Sequence, residues 1–186
     1  MQAQRLALSA PELRIGILSD THAYLDPRVA DTLSGCRLIL HAGDICDGRI
    51  LDQLAPLAGQ VAAVAGNNDL PGLWPAEQHD IVAALPQRVE LQVNGDLIVM
   101  EHGHRLGGQP SHAQLRRDYP EARLIVYGHT HFQVWDRDAR PWIVNPGAAG
   151  RVRTQGGPSC AILTVTGELW TVELKRFPDS LTARVA

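Results

Sequence analysis

The sequence predicts an α/β fold in which layered β-sheets are covered by helices, and three observations support this. In the first half of the chain, short apolar runs typical of strands alternate with segments that have a helical period. In the second half, strand-like runs follow one another and are separated by turns. The 186 residues are 45% hydrophobic and 20% charged, which suits one domain with a full core. No linker or repeat divides the chain, so we predict a single domain over residues 1–186.

The first half predicts three strands with helices between them. In order, we expect a loose N-terminal arm (1–12), a strand (13–18), a helix (27–34), a strand (37–40), a helix (48–57) and a strand (61–64). The first helix has clear ends, because Asp26 can cap it, Pro27 suits its first position and Gly35 ends it. The second helix is indicated by apolar residues at helical spacing, namely Ile50, Leu51, Leu54 and Leu57.

The second half predicts mainly strands. In order, we expect an irregular surface segment (70–86) anchored by Trp74, two strands (88–93 and 96–100), a helix (111–119), a strand (124–127) and four extended segments (132–135, 142–144, 159–165 and 169–175). Asn94-Gly95 is a strong signal for a two-residue hairpin between the first two of these strands. Ser111 can cap the helix, and Pro120 closes it.

Composition and charge exclude several classes of function. The net charge of −3 leaves no basic face for extended nucleic acid, although a metal cluster would still attract a small anionic substrate. No run approaches the ~20 apolar residues of a membrane helix, and we find no signal peptide. The widely spaced Cys36, Cys46 and Cys160 form no disulfide framework. We therefore expect a cytoplasmic protein with reduced thiols that acts on a small molecule.

Residues that commonly bind metals follow five of the apolar runs. These residues are Asp20 and His22 after the first run, then Asp44, Asn67 and His102, and finally His129 and His131. Binding groups in α/β proteins gather beyond the carboxyl ends of the strands, so five strands of one sheet would bring all seven side chains into one crevice. Taken alone, His129 and His131 are as readily explained as surface histidines, but the four other blocks supply partners for them.

The ligand types indicate a site with two metal ions. Carboxylate, amide and imidazole donors suit manganese, iron, zinc, cobalt or nickel, whereas the absence of cysteine argues against a structural zinc site. Seven ligands are too many for one catalytic ion with an open position, but they suit two ions that share a bridging ligand. Only a carboxylate bridges two ions easily, and Asp44 is central in sequence order, so we assign Asp44 as the bridge.

The charge of such a site favours phosphate esters. Two divalent ions carry four positive charges, and Asp20, Asp44 and a bridging hydroxide remove three of them, which leaves roughly +1 to attract anionic oxygens. Two ions ~3.5–4 Å apart can lower the pKa of a shared water and stabilise both the attacking and the leaving oxygen. We therefore predict hydrolysis of small phosphate esters by attack of a hydroxide that bridges the two ions, with phosphodiesters as the first substrate class and phosphomonoesters as the second.

Five short motifs together resemble the calcineurin-like metallophosphoesterase superfamily. They are Asp20-Thr21-His22, Gly43-Asp44, Gly66-Asn67-Asn68-Asp69, His102-Gly103-His104 and Gly128-His129-Thr130-His131. Together with Asn145-Pro146-Gly147, they look most like its small YfcE-type phosphodiesterase branch, and the resemblance spans roughly residues 13–175. The resemblance implies a four-layer α/β/β/α sandwich of two mixed sheets flanked by helices. A homodimer is expected on the same ground alone.

The resemblance also implies how the ligands divide between two divalent ions, with manganese preferred and nickel, iron, zinc or cobalt as alternatives. One ion would take Asp20, His22, Asp44 and His131. The other would take Asp44, Asn67, His102 and His129. In the His-Gly-His motif we choose His102, because it directly follows a strand, which leaves His104 to support the site or contact the substrate. His129 and His131 can both face the crevice if alternate residues of an extended segment project to one side.

One position departs from the wider superfamily. Many members have a histidine after the asparagine of the third motif, and this histidine protonates the leaving group. The residue here is Asn68, whose amide is not an acid near neutral pH; a cysteine is common there in the small branch. We therefore predict that His104 or a metal-bound water partly takes the catalytic role, and that aryl or otherwise activated esters are cleaved best.

Two other functions remain open at this point. A hydrolase of carbon centres would use His129 and His131 on one zinc ion, but it would leave Asn67 and Asp44 without a role. The second alternative is a catalytically weak or inactive binding scaffold. The retromer subunit of this fold is such a scaffold, with a degraded metal site.

Some residues near the motifs have two interpretations. We expect His41 to be a structural histidine with satisfied hydrogen bonds. Asp69 either orients Asn68 or a ligand, or only caps the segment that follows. Arg151 and Arg153 follow the Asn-Pro-Gly turn, and they either reach a phosphate or are solvated surface charge.

Overall fold

The computed structural model describes residues 3–179 as two β-sheets with helices on their outer faces. The strands are β1 (Ala3–Leu8), β2 (Glu12–Leu18), β3 (Leu38–His41), β4 (Val61–Ala63), β5 (Arg88–Val93), β6 (Asp96–Glu101), β7 (Ala122–Val126), β8 (Gln133–Asp136), β9 (Trp142–Pro146), β10 (Ser159–Thr166) and β11 (Leu169–Arg176). The α-helices are α1 (Pro27–Leu33), α2 (Arg49–Leu54), α3 (His79–Ala84) and α4 (His112–Asp118). Short 3-10 turns occupy Ala55–Leu57, Pro71–Leu73, Ala76–Gln78 and His104–Leu106.

Both sheets are mixed. The six-stranded sheet has the order β1-β5-β6-β7-β9-β8, and the five-stranded sheet has the order β11-β10-β2-β3-β4. In the five-stranded sheet, β2, β3 and β4 are parallel, and β10 runs antiparallel to β2. In the six-stranded sheet, β6, β7 and β9 are parallel. The carboxyl ends of the parallel strands therefore lie at one edge of each sheet.

The two sheets pack face to face over a shared core. Side chains from both inner faces form it, among them Ile15, Leu40, Leu91, Met100 and Val126. A second cluster joins the outer face of the five-stranded sheet to α1, α2 and α3, and a third joins the six-stranded sheet to α4. Each fully buried aliphatic side chain contributes about 1.5–3 kcal/mol to the free energy of unfolding. This arrangement confirms the predicted α/β/β/α layers. No helix within residues 3–179 is long and apolar enough to cross a membrane.

The first helix and the predicted hairpin follow their local sequence signals. Asp26 caps α1, and its Oδ1 accepts a hydrogen bond from the backbone N–H of Arg28 at 3.0 Å. Pro27 occupies the first position of the helix, where it loses no backbone hydrogen bond. In the β5–β6 turn, φ is 50° at Asn94 and 93° at Gly95, and positive values at both central residues are what a type I′ turn requires.

The predicted loose arm over residues 1–12 is wrong for the part that the structure describes, and residues 1 and 2 lie outside it. Strand β1 forms the edge of the six-stranded sheet and pairs in parallel with β5. Leu6 and Leu8 pack against the central core, and Arg5 forms a surface ion pair with Glu90 at 3.1 Å. The segment is too short to reveal a period, and its partner strand lies far along the chain, so the sequence pattern could not identify it.

The predicted irregular segment over 70–86 is partly wrong, because it contains α3 and two 3-10 turns. Its anchor is confirmed, since Trp74 is buried and its Nε1 donates a hydrogen bond to Asp69 at 3.2 Å. Helix α3 buries only Val82, while Leu70 and Leu73 are exposed. A helix of six residues with one buried side chain lacks the repeat on which a sequence-based prediction depends.

The three cysteines are free thiols. Cys36 and Cys160 are buried in the layer beneath α1, and Cys46 is partly buried near the carboxyl end of β3. Burial raises the pKa of Cys160 to about 12, which keeps the thiol protonated and unreactive.

Asp47 joins α2 to the 70–86 segment and makes the fold sensitive to acid. Its carboxylate accepts hydrogen bonds from the backbone N–H of Arg49 at 2.9 Å and from Nε2 of Gln78 at 3.1 Å, and it pairs with the Arg49 guanidinium. Hydrogen bonding by Arg49 lowers the pKa of Asp47 from 3.8 to about 2. A depressed pKa in the folded state stabilises the fold above the unfolded pKa, and this stabilisation is lost as the pH falls through the folded pKa.

We therefore expect Asp47→Asn to lower the free energy of unfolding by ~1 kcal/mol at pH 6, a modest value because Arg49 is exposed to solvent. The asparagine keeps the acceptor for the Arg49 backbone N–H, so the substitution removes mainly the charge. Urea unfolding of both proteins between pH 2 and pH 6 measures the effect. The difference should shrink as the pH falls from about 4 to 2; a difference that is constant over this range would contradict the prediction.

Candidate metal centre

Both sheets contribute to the candidate metal centre, which lies at the carboxyl ends of their parallel strands. The loops after β2, β3 and β4 of the five-stranded sheet carry Asp20, His22, Asp44 and Asn67. The loops after β6 and β7 of the six-stranded sheet carry His102, His129 and His131. The expectation that one sheet would carry all five blocks is therefore wrong. Because the sheets pack face to face, two rows of loops lie opposite each other and the candidate ligands approach from both sides.

Asp20, His22 and His131 form one cluster of converging donor atoms. Nε2 of His131 lies 3.3 Å from Oδ1 of Asp20 and 3.2 Å from Nε2 of His22. Nε2 of His22 lies 3.8 Å from Oδ2 of Asp44, which connects this cluster to its neighbour. Two atoms that are each about 2.1 Å from one metal ion are roughly 3–3.5 Å apart, so the two separations from Nε2 of His131 suit a shared ion.

Asp44 and His102 form the second cluster, together with Asp20. Nε2 of His102 lies 3.5 Å from Oδ1 of Asp44, and one donor atom from each of the three residues lies within 4.8 Å of the others. The ring of His129 flanks this cluster, with its centroid 5.2 Å from that of His102. His129 and His131 thus have different neighbours, in keeping with their predicted division between two ions.

Backbone carbonyls fix the tautomers of two of these histidines. Nδ1 of His102 lies 2.7 Å from the carbonyl oxygen of Ala42, and Nδ1 of His131 lies 2.9 Å from that of Val152. A carbonyl oxygen only accepts, so Nδ1 carries the proton in both neutral rings and each Nε2 presents a lone pair to the cluster. Carbonyl partners of this kind commonly orient metal-binding histidines.

The unpartnered donor atoms fit divalent metal ions. Oδ1 of Asp20 and Nε2 of His102 are buried, and neither has a hydrogen-bond partner within residues 3–179. Asp20 and Asp44 are 0% and 2% exposed. A buried carboxylate is costly unless a positive charge compensates it, and two adjacent ones without a lysine or arginine partner favour a bound cation.

Several candidate ligands lie in the left-handed region of backbone conformation. The values of φ are 54° at Asp20, 45° at His22, 54° at Asp44, 69° at His129 and 61° at His131. Such conformations cost residues with a side chain of order 1 kcal/mol or more and cluster at functional sites. The expectation that an extended segment orients His129 and His131 is therefore wrong, because left-handed turns direct both side chains.

The third motif places its two asparagines differently. Asn68 contacts Asp44 twice, through its backbone N–H to Oδ1 at 2.9 Å and through its side-chain amide to Oδ2 at 2.7 Å. Asn67 is exposed at the neighbouring position. The structure thus gives Asn68 a direct contact with the predicted bridging carboxylate, which the sequence did not indicate. The assignment of Asn67 as a metal ligand stays a prediction.

His104 lies beside the candidate ligands but outside both clusters. Its ring centroid is 5.4 Å from that of His102 and 6.3 Å from that of His129. Its Nδ1 is buried and has no hydrogen-bond partner among the described residues. Burial and the neighbouring His102 lower the pKa of His104. This position is compatible with the predicted contact to a substrate.

Asp69 holds two of the ligand loops together. Its buried carboxylate accepts hydrogen bonds from the backbone N–H groups of Ile45 at 3.0 Å, Cys46 at 2.8 Å and Gly66 at 2.8 Å, in addition to the indole described above. A Cβ atom on Gly66 would lie 2.2 Å from Oδ1 of Asp44, so only glycine permits the loops to approach this closely. Asp69 therefore joins the loops that carry Asp44 and Asn67 through their backbone and does more than cap the segment that follows. Direct orientation of Asn68 or a ligand stays a prediction.

Asn145 braces the turn that carries His129 and His131. Its buried Nδ2 donates hydrogen bonds to the carbonyl oxygen of Gly128 at 2.7 Å and to Oγ1 of Thr130 at 3.1 Å. The Asn-Pro-Gly motif was visible in the sequence, but this role was missed. It depends on β9 lying next to β7, which no local pattern indicates.

His41 is structural, as expected. Its Nε2 lies 3.0 Å from Oγ1 of Thr21, and its Nδ1 accepts a hydrogen bond from the backbone N–H of Gly43 at 3.2 Å. Burial lowers the pKa of His41 to about 4, so the ring is neutral near pH 7. The side chain connects the loops that carry Asp20 and Asp44.

The surroundings of Asp44 keep it ionised. Burial raises the pKa of this carboxyl, but two hydrogen bonds from Asn68 and the charge that His102 carries when it is protonated outweigh burial and hold the pKa well below its ordinary value. An ionised carboxylate is the form that coordinates a metal ion.

Known proteins with similar sequences carry phosphoesterase names. A "Probable metallophosphoesterase" of Methanocaldococcus jannaschii is 33% identical over 141 residues, which cover 72% of this chain and 67% of that protein. A phosphodiesterase of the same organism is 26% identical over 165 residues, which cover 81% of this chain and 92% of that protein.

A comparison of structures shows which known proteins share this fold, and a comparison with family profiles identifies the family. Vacuolar protein sorting 29 from Cryptosporidium parvum superposes with a TM-score of 0.70 over 90% of this chain and 99% of that chain. The two are 16% identical, so this likeness shows the fold alone. The profile of the calcineurin-like phosphoesterase superfamily domain matches residues 13–168. This chain therefore belongs to the calcineurin-like phosphoesterase superfamily.

Proposed function

We propose that this protein hydrolyses phosphodiesters, with phosphomonoesters as a second substrate class, by means of two divalent metal ions of which manganese is preferred. The observation that carries the proposal is the convergence of the buried Asp20 and Asp44 with three imidazoles from opposite sheets. Within residues 3–179, Oδ1 of Asp20 and Nε2 of His102 have no hydrogen-bond partner. Membership of the superfamily supports a hydrolase. The name of the Methanocaldococcus jannaschii phosphodiesterase supports diesters as substrates.

The proposed ligands fall into two sets that share Asp44. The first set is Asp20, His22, Asp44 and His131. The second set is Asp44, Asn67, His102 and His129. When bound, the ions would supply positive charge for the phosphate oxygens and lower the pKa of a water molecule to near neutrality.

Two further residues have proposed roles: Asn68 orients a ligand, and His104 transfers a proton. Asn68 holds both carboxylate oxygens of Asp44, which restrains the rotation of that side chain. The side-chain amide of Asn68 donates hydrogen bonds but does not ionise near neutral pH, so it cannot protonate the leaving oxygen. We assign His104 to assist the leaving oxygen, because it lies next to His102 and its buried Nδ1 has no hydrogen-bond partner in the part of the chain that the structure describes.

Metal analysis combined with an ester screen tests the proposed function. We expect near two ions per chain after dialysis against Mn2+, and turnover of bis(p-nitrophenyl) phosphate that is lost after treatment with a chelator. One ion per chain would favour the hydrolase of carbon centres. Bound metal without turnover of any p-nitrophenyl ester would count against the enzyme and favour the binding scaffold.

The same screen tests the role of His104 when alkyl and aryl esters are compared. We expect aryl esters to be cleaved faster, because their leaving oxygen needs less protonation. His104→Ala should lower kcat by about 10²-fold with unchanged metal content, in the range typical of general acid–base catalysis. His79→Ala, which removes a histidine at the start of α3, is the control. Equal rates on both ester types, with His104→Ala unaffected, would contradict this role.

Three expectations from the sequence stay predictions. They are a cytoplasmic location, a small molecule as the natural substrate, and a homodimer.

A further inference from the structure

The loop that follows β9 lies against the loop that carries Asp20 and His22. The backbone N–H of Ala149 donates a hydrogen bond to the carbonyl oxygen of Ser19 at 2.8 Å. A Cβ atom on Gly150 would lie 2.2 Å from the carbonyl oxygen of Thr21, so glycine is required for this contact. The 147–158 loop is therefore seated directly beside the first cluster of candidate ligands.

The same loop also supports His131 from behind. Nδ1 of His131 lies 2.9 Å from the carbonyl oxygen of Val152 and 3.2 Å from that of Arg153. The backbone of Arg153 thus contacts a candidate ligand, and φ at Arg153 is 49°, in the left-handed region. This contact places the backbone of Arg153 next to a candidate ligand.

The two arginines of this loop have different surroundings. The guanidinium carbon of Arg151 lies 3.4 Å from the centroid of the Tyr24 ring, so this side chain is stacked on an aromatic face. The guanidinium of Arg153 is exposed and has no hydrogen bond or ion pair within residues 3–179. Arg153 therefore carries a cation without a partner among the described residues, on a backbone that contacts the candidate ligand His131.

The charge of the loaded site indicates what such a cation would bind. Two divalent ions with Asp20, Asp44 and one hydroxide carry roughly +1, which one diester anion neutralises. Arg153 adds one further positive charge, which a singly charged diester does not require. A phosphomonoester carries close to two negative charges above pH 7. This charge balances the roughly +1 of the loaded site together with the positive charge of Arg153. Guanidinium groups bind phosphate oxygens well, through paired N–H donors.

We propose that Arg153 is a substrate-binding residue whose guanidinium binds the second negative charge of a phosphomonoester dianion, so that the site accepts doubly charged phosphate esters in addition to diesters. This inference rests on the proposed phosphoesterase function and names the residue that binds the second charge of a monoester. Arg153 would bind the substrate and favour doubly charged substrates over singly charged ones. It is not one of the proposed metal ligands.

Kinetics of matched arginine variants test the proposal. Mn2+-loaded wild type, Arg153→Gln and Arg151→Gln are compared at pH 8 with p-nitrophenyl phosphate and bis(p-nitrophenyl) phosphate. In Arg153→Gln, we expect the ratio of kcat/KM for the monoester to that for the diester to fall ~10-fold, the size expected for a partly exposed charge-assisted hydrogen bond. Arg151→Gln should keep the wild-type ratio, and Arg153→Lys should recover part of it because it restores the charge.

Binding of inorganic phosphate gives a readout that does not depend on turnover. Calorimetry should show a ~10-fold higher Kd for phosphate in Arg153→Gln, with equal metal content in all variants. An unchanged ratio and Kd, an equal effect of Arg151→Gln, or a wild type without monoester turnover would each overturn the proposal while diester hydrolysis still stands. Absence of turnover for both esters would instead contradict the proposed function.

Discussion

Asp44→Asn is expected to lower kcat/KM for bis(p-nitrophenyl) phosphate by about 10³-fold or more, which corresponds to about 4 kcal/mol of transition-state stabilisation. Asp44 lies between His22 of one cluster and His102 of the other, at 3.8 Å and 3.5 Å. An amide carries no negative charge and presents N–H donors, so it is a poor bridge between two cations. We therefore expect fewer than two ions per chain in the variant, as measured by metal analysis alongside the kinetics.

Asp31→Asn is the matched control for this substitution. Asp31 lies on the exposed face of α1, far from the strand ends that carry the ligands. The control should retain both metal content and turnover. If Asp44→Asn also keeps two ions and near wild-type kcat/KM, Asp44 does not bridge the ions.

Asp69→Ala is expected to lower the free energy of unfolding by about 4 kcal/mol, because three backbone N–H groups and the Trp74 indole lose their acceptor. The carboxylate is only 4% exposed, so water does not readily replace it. For a chain of this size the loss corresponds to a decrease in Tm of about 10 °C. Differential scanning calorimetry of the metal-free protein measures it without a contribution from metal binding.

Asp31→Ala is the control for stability, since it removes an exposed aspartate from a helix where alanine is favourable. Its Tm should stay close to that of the wild type. A Tm for Asp69→Ala within about 2 °C of the wild type would show that the clamp between the loops after β3 and β4 contributes little.

Local signals in the sequence predicted most of the fold. The Asp26-Pro27 start of α1 and the Asn94-Gly95 hairpin act within a few residues, and the structure confirms both. Strand β1 and helix α3 were missed for a common reason. Neither segment has a period of its own, since β1 depends on pairing with the distant strand β5 and α3 has six residues with one buried side chain.

The sequence predicted which residues belong to the candidate site, but it predicted only part of how these residues are arranged and held. The motifs identified Asp20, Asp44 and His131 as candidate ligands, and the structure brings them into adjacent clusters. The supporting contacts were not predictable, because Asp69 and Asn145 act through hydrogen bonds to backbone groups of other loops. Those bonds exist only after the strands have paired.

The sequence by itself determined which chemistry is available, since the carboxylates and imidazoles follow apolar strand-forming runs in a fixed order. It also determined the alternation of strands and helices, which depends on local periodicity. Only the tertiary structure decided that two sheets share the site and that left-handed turns orient His129 and His131. It also decided that the backbone of Arg153 contacts His131, while the guanidinium has no partner within residues 3–179. The physical reason is that these features depend on contacts between segments far apart along the chain, which local periodicity and propensity do not specify.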